Sequence, residues 1–341
     1  MPAAQAERLL QGPITKEVGD GKKNLALDVA LIQSLINTIK SLPSAKTSTY
    51  KIAKPIIHKK VKPDTRLVVN GKFSDALKHE IEAFQGLYCN FKPDGAIAPN
   101  KTTWKTLLRV SGVKITRQNK IKTIFGEAHV KHDNVLKNSD KALLKTLIKN
   151  HLQIVNANED LSGFLTALFA DATMTNIRWA AYYTATAYHE TAFTFKPLAE
   201  HGKGSGRAYG TAEKVKDTYG YLGKKGTEYN NTFYGRGYVQ ITHAESYKYI
   251  SDKIGLRKDE LYINPDKALE TATAYKILTY WMQNNIPKVK GAGRRIQEHI
   301  TAHGTPNYVS ARKVVNGSDK AALIASYATV TEALIRLSAA K

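Results

Sequence analysis

The sequence predicts a mainly α-helical protein of two domains, and three observations carry that expectation. A chain of 341 residues exceeds one ordinary domain. Its composition, 42% hydrophobic and 23% charged, is that of a folded globular protein. Its long apolar segments repeat at three- and four-residue intervals, the period of a helix with one buried face. Only Tyr238–Thr242 alternates as a short strand would.

The single cysteine, Cys89, excludes an internal disulfide and points to a reducing site of synthesis. The opening residues carry no apolar core of signal-peptide length, and no later run approaches the ~18 apolar residues of a membrane span. A soluble protein made in the cytoplasm is expected, one that needs separate release to work elsewhere. The net charge of +22 favours an anionic partner. Charge is densest from Lys46 to Arg66, where seven basic residues face the single acid Asp64. A solvated loop is the plainer explanation of that run.

In the N-terminal third, Leu27, Leu31, Leu35 and Ile39 are spaced four apart, and Val29, Ile32 and Ile36 widen the stripe. Pro43 closes this first helix. A second starts at Ser74 as N-cap and turns Leu77, Ile81 and Phe84 inward. Asp94-Gly95 then makes a tight turn and Pro99 a break. A third helix, capped by Thr102 or Thr103, carries Trp104, Leu107 and Leu108.

The run Ile32-Gln33, Gly71, Phe84-Gln85, Asp94-Gly95, Ile97, Pro99, Thr103-Trp104 and Leu107 resembles the peptidoglycan-binding modules of bacterial and phage wall hydrolases. The resemblance implies a small three-helix wall-binding domain over 1–112, stretched by a basic insert at 43–66. Most of these residues are helix, turn or core positions, so the binding role rests on the resemblance. The polar segment 113–139 reads as a linker.

From residue 140 the pattern is helical again. Ser139 is the expected cap, followed by Leu143, Leu147 and Leu152. "TNIRWAAYYTATAYHE" starts at Thr175 or Asn176 and reads as a buried helix ending in His189-Glu190. Tyr188, Phe193 and Phe195 would give Glu190 apolar surroundings, which disfavour ionisation and suit a general acid. Ten positions later stands Glu200, ahead of "HGKGSGRAYG", whose four glycines read as a loop over a cleft. Hydroxyls and amides at Tyr234, Gln240 and Thr242 suit N-acetyl groups and a nucleophilic water. His189 reads as a structural histidine with its hydrogen bonds met, and Arg236 as one half of a structural salt bridge. His189-Glu190 lacks a second histidine four residues on, and there is no cysteine cluster, so no metal is expected.

"YHETAFTFKPLAE", "FYGRGYVQIT", "INPDKALE" and "ARKVVNGSDKA" occur in the order expected of family 19 glycoside hydrolases. The likeness covers about residues 140–341 and is nearer to the phage endolysin branch than to plant chitinases. It implies a lysozyme-like, α-rich catalytic domain with a small β-sheet beside the cleft, an inverting mechanism and no cofactor. By resemblance Glu190 is the general acid, Glu200 the general base with Glu213 in reserve, and Thr242 the holder of the attacking water. Tyr234, Gln240, Tyr247 and Asn316 take substrate-binding positions. Tyr238 stands where chitinases usually have proline. Ser246 replaces an asparagine frequent in the family, so one sugar contact is lost.

A modular phage endolysin is therefore expected, made in the host cytoplasm and cutting β-1,4 bonds of peptidoglycan after release. It is expected to be monomeric, with no nucleic-acid partner. A chitinase shares the acids, a lytic transglycosylase needs only one, and a non-enzymatic wall- or nucleic-acid-binding protein would use the charge alone. Each Lys near an anionic surface contributes on the order of 1 kcal/mol, screened by salt. Replacing Lys54, Lys59, Lys60 and Lys62 by Gln should weaken association with the wall or outer membrane and flatten its salt dependence. Unchanged binding at low salt would leave the insert as ordinary solvated charge.

Overall fold

The computed structural model describes residues 14–40, 66–113, 115, 123–124, 136–152, 158–286, 295–301 and 306–339. The basic insert expected at 43–66, Arg66 apart, and most of the linker expected at 113–139 lie outside the described residues. The chain divides into two compact units, residues 3–133 with 333–341, and residues 134–332.

The first unit contains helices α1 (Ala26–Lys40), α2 (Asp75–Tyr88) and α3 (Thr102–Ser111). The four-residue stripe of α1 is buried as its spacing requires, with Leu27, Leu31 and Leu35 inaccessible. Ser74 caps α2 by accepting a hydrogen bond from the Leu77 N–H at 3.3 Å. The threonine cap expected for α3 is not formed. Lys101 occupies the cap position without a side-chain bond, and the Thr103 hydroxyl is taken by Gln85.

Two buried glutamines hold the loops of this unit. The Gln85 Oε1 accepts from the Asp94 and Gly95 N–H groups, each at 3.0 Å. Its Nε2 donates to Asp94 Oδ1, Ala96 O and Thr103 Oγ1. Gln33 repeats the device, accepting from Asn70 and Gly71 and donating to Asn70 Oδ1 and Lys72 O. Gly71 sits at φ 69, and a Cβ there would lie 2.7 Å from the Ala26 carbonyl oxygen. Only glycine fits.

The second unit is also mainly helical: α4 (Lys141–Leu152), α5 (Asn158–Ala170), α6 (Ile177–Glu190), α7 (Ala244–Lys253), α8 (Glu260–Ile263), α9 (Thr271–Gln283), α10 (Tyr308–Ala311) and α11 (Lys313–Asn316). Helix α12 (Ala321–Ala339) enters it through its residues up to 332. Strand β1 (Leu198–Ala199) pairs antiparallel with β4 (Arg236–Gly237), and β2 (Glu213–Lys216) with β3 (Glu228–Asn231). Among the described residues, no helix is long and apolar enough to cross a membrane.

Helix α6 is buried on every side, as its alanines and tyrosines predict. Asn176 is its cap, accepting from the Arg178 N–H at 2.9 Å. Tyr188 packs on Phe193, Phe195 and Tyr327 with ring centroids 4.9, 5.7 and 5.1 Å away. Deeper, Glu332 accepts from the Tyr308 hydroxyl at 2.7 Å and from Arg178 Nε at 3.4 Å. For α4 the capping bond comes from Asp140, not Ser139, with the Leu143 N–H donating at 2.9 Å.

The strand expected at 238–242 is a turn. Gly237 at φ 82 and Gln240 at φ 53 fold the chain back, so that only Ile241 pairs with Arg236. Tyr238 and Val239 are both buried, so the residues do not alternate between core and solvent.

Gln85→Leu should destabilise the protein by roughly 3 kcal/mol in urea unfolding, since buried N–H and C=O groups lose their partner. A loss below about 1 kcal/mol would mean that water replaces the amide without cost.

Candidate active site

Helix α6 delivers Glu190 at its C-terminal end, and the backbone beyond is wound tightly. Ala192, Phe193 and Phe195 sit at φ 49, 70 and 62, a region unfavourable to side chains with a Cβ. The wholly buried Phe195 ring anchors this winding. So does the Thr191 hydroxyl, which donates to Ala187 O at 2.7 Å and accepts from the Phe195 N–H at 2.9 Å. Nothing in residue spacing signals such a turn.

The aromatic surroundings expected for Glu190 are not what its carboxylate meets. Its Oε1 accepts from Arg312 Nη1 at 2.6 Å, with the two side chains 15% and 2% exposed. Tyr188 packs instead against Phe195 and the half-buried Phe193. Arg312 is itself tied by its Nε to the Asp319 carbonyl at 2.9 Å, and its own carbonyl accepts from the Asn316 N–H. Arg312 was missed from sequence. It lies inside "ARKVVNGSDKA", four residues before Asn316, and that shared turn was the available signal. Asn316 is exposed at the end of α11, before Gly317.

Glu200 is held locally. Its N–H donates to the Gly235 carbonyl at 2.7 Å, and the Gly235 N–H returns a bond to Glu200 Oε2 at 3.0 Å. Oε1 accepts from the Tyr209 hydroxyl at 3.1 Å. Burial, then the nearby carboxylate, raise the Tyr209 phenol above its usual value. Gly235 is closely packed here, since a Cβ would lie 2.7 Å from Gln240 Oε1 and 3.4 Å from the Glu200 Cβ. Glu213, the reserve base, is exposed at the start of β2.

The β4 turn is built around Arg236, which bonds Asp266 at 2.9 Å as expected of a structural salt bridge. Its Nη1 also donates to Thr232 O, Tyr234 O and the Tyr247 hydroxyl, and its guanidinium lies 3.6 Å over the Tyr234 ring. Tyr247, a substrate-binding position by resemblance, is drawn into this network. It is wholly buried, and its hydroxyl donates to Tyr234 O at 2.8 Å. Tyr234 is 6% exposed. Gln240 spends its Nε2 on Leu198 O and Gly237 O, both at 3.0 Å, leaving Oε1 for other contacts. Thr242 follows Ile241 and is half-buried. Ser246 is buried.

A groove of about 570 Å³ elsewhere in this unit is lined by Ala167, Asp171, Lys253, Tyr275 and Tyr280 among others. It contains none of these residues, so chemistry and not cavity size marks the site.

His189 departs from its expected role. Its buried Nδ1 has no hydrogen-bond partner. Burial, opposed by Glu190 and aided by Arg312, lowers its pKa below the ordinary histidine value. The unfolded chain then binds the proton more readily, so stability should decline as pH falls below about 6.5, down to the depressed folded pKa. Thermal melts between pH 5 and 8 should show this slope, and His189→Leu should reduce it. An unchanged slope in the variant would assign it to other groups.

A family model described as chitinase class I, glycoside hydrolase family 19, matches residues 129–318, more than half of the chain. Among solved structures, a bacterial family 19 chitinase is 19% identical over 58% of this chain and 95% of its own, with a TM-score of 0.38. Chitinase C from Streptomyces griseus HUT6037 is 18% identical over 58% and 76%, with a TM-score of 0.37. No curated protein matches the chain. The chain belongs to glycoside hydrolase family 19 and is a glycoside hydrolase acting on a polysaccharide.

Proposed function

We propose that this enzyme hydrolyses the β-1,4 glycan strand of peptidoglycan with inversion, in the manner of the phage endolysins it resembles. The observation that carries the mechanism is that two carboxylates are each held by fixed donors, Glu190 by Arg312 and Glu200 by Gly235 and Tyr209. Positioned acid–base pairs work by such fixing.

Glu190 is the general acid. Arg312 occupies Oε1, so Oε2 carries the proton that passes to the leaving oxygen. The carboxylate left behind is stabilised by the same guanidinium. Glu200 is the base. Each of its oxygens uses one lone pair on Tyr209 or Gly235, and the others remain for the attacking water. Thr242 orients that water, while Tyr234, Gln240 Oε1 and Asn316 contact the sugars. No cofactor takes part. Residues 1–112 hold the enzyme on the wall, joined by 113–139 to the catalytic domain at 140–341. The protein acts as a monomer after release from the cytoplasm.

A second reading, chitin as substrate, is favoured by the description of the matching family model. Digestion of purified sacculi and of chitin, with products analysed by mass spectrometry and NMR, separates the two. Inverting hydrolysis of a β-linked strand gives α-anomeric reducing ends. Anhydro-sugars would replace this mechanism with transglycosylation. Glu190→Gln keeps shape and removes the proton donor, so activity should fall about a hundredfold or more. Glu200→Gln should lose activity less completely. A folded Glu190→Gln protein with normal turnover would sink the mechanism, and an active Glu200→Gln protein would move the base to Glu213.

A further inference from the structure

The hairpin β2–β3 closes through residues 217–227, a loop with no part in the proposed reaction. It is built on one carboxylate. Asp217 Oδ1 accepts from the N–H groups of Tyr219 (3.2 Å), Gly220 (2.7 Å) and Tyr221 (3.0 Å), and Oδ2 from that of Leu222 (2.8 Å). Burial alone would raise this carboxyl. The four donors outweigh it and hold the group below the usual carboxylate range.

On this base stands a layered stack. The Tyr219 and Tyr221 rings lie nearly parallel, 14° apart with centroids at 5.1 Å. The Arg257 guanidinium sits 3.8 Å over Tyr221. A cation that close to the ring centre leaves no room for a second ring on the same face, so Tyr219 takes the other. Arg257 is itself clamped by Glu260, through Nε at 3.1 Å and Nη2 at 2.8 Å. The Tyr221 hydroxyl donates to Lys258 O at 3.2 Å. Three layers are thus fixed in place, and the outermost, Tyr219, is 42% exposed. One face meets Tyr221, and the exposure leaves part of the ring open to solvent. Leu222 beside it is 40% exposed. Lys214, Lys216, Lys224 and Lys225 lie on the flanking strand and loop.

A rigid, upright aromatic face suits a ligand with a flat apolar side and a polar rim. A pyranose ring has both, its axial C–H bonds meeting the π cloud while its hydroxyls stay wet. Prior fixing means that little ordering opposes binding. A lipid surface would call for a broader apolar face than one ring and one leucine.

We propose that Tyr219 is a stacking platform for one sugar ring of a β-1,4-linked N-acetylhexosamine glycan, an accessory contact outside Glu190 and Glu200. It rests on the assignment of the chain as a glycan hydrolase, not on which carboxylate does what. The flanking lysines add attraction for strands bearing acid groups.

The test uses the full chain carrying Glu190→Gln, so that turnover does not confound binding. Probes are the chitin tetramer, by calorimetry, and peptide-stripped murein glycan, by co-sedimentation. Tyr219→Ala should weaken binding about fivefold to tenfold, and Tyr219→Phe, which keeps the ring, should not. Loss with murein alone would identify the acid-bearing strand as the ligand, and equal loss with both the N-acetylhexosamine backbone. In the chain with Tyr219 intact, sugar C–H resonances of the bound tetramer should move upfield in its ring current, a readout needing no substitution at that position. The platform is refuted if Tyr219→Ala binds both glycans as before, or if Tyr219→Phe loses as much as Ala. It is equally refuted if the loss appears only with anionic vesicles or a single-stranded oligonucleotide. Since binding is read without turnover, its failure would leave the acid–base proposal untouched.

Discussion

A guanidinium buried under the loop at 232–247 is the constraint on which the site depends. Arg236 is 3% exposed and bonds Thr232 O, Tyr234 O, the Tyr247 hydroxyl and Asp266. The ion pair is the weaker part of this set, because the Asp266 side chain is 69% exposed and screened by water. The buried carbonyls and the facing Tyr234 ring hold the charge where removal would leave them unpaired. What they fix is the path of β4. That path sets where Gly235 points its N–H, and Gly235 holds Glu200.

The two carboxylates are secured over very different chain distances. Glu200 is locked by residues within one strand pair and one short turn, Gly235 and Tyr209. Glu190 depends on Arg312 from the far end of the unit. The first arrangement survives whatever preserves the β1–β4 pairing. The second answers to the packing of α10, α11 and the turn to Asp319, which together orient Arg312.

What could be read from the sequence was what period and capping chemistry decide. The helical character, the buried α6, its cap at Thr175 or Asn176, the Ser74 cap and the Asp94-Gly95 turn all follow from local rules. The misreadings share a cause, which is a partner from elsewhere in the fold. Thr103 could not cap α3 because Gln85 takes its hydroxyl. The Tyr247 hydroxyl is engaged by Arg236 and Tyr234, which no local rule shows. Tyr238–Thr242 alternates in composition, but two left-handed residues, Gly237 and Gln240, make it a turn. Arg312 was invisible because no pattern in one dimension joins it to Glu190.

That long span matters before the protein is finished. Arg312 follows Glu190 by 122 residues, and chains grow at about 5–20 residues per second. During synthesis the carboxylate therefore exists for on the order of ten seconds without its counter-charge. A ribosome stalled after Gly237 and before Arg312 holds a chain that contains β1, β4 and the partners of Glu200 but not the partner of Glu190. The counter-charge of Glu190 is thus supplied later in synthesis than the donors that hold Glu200.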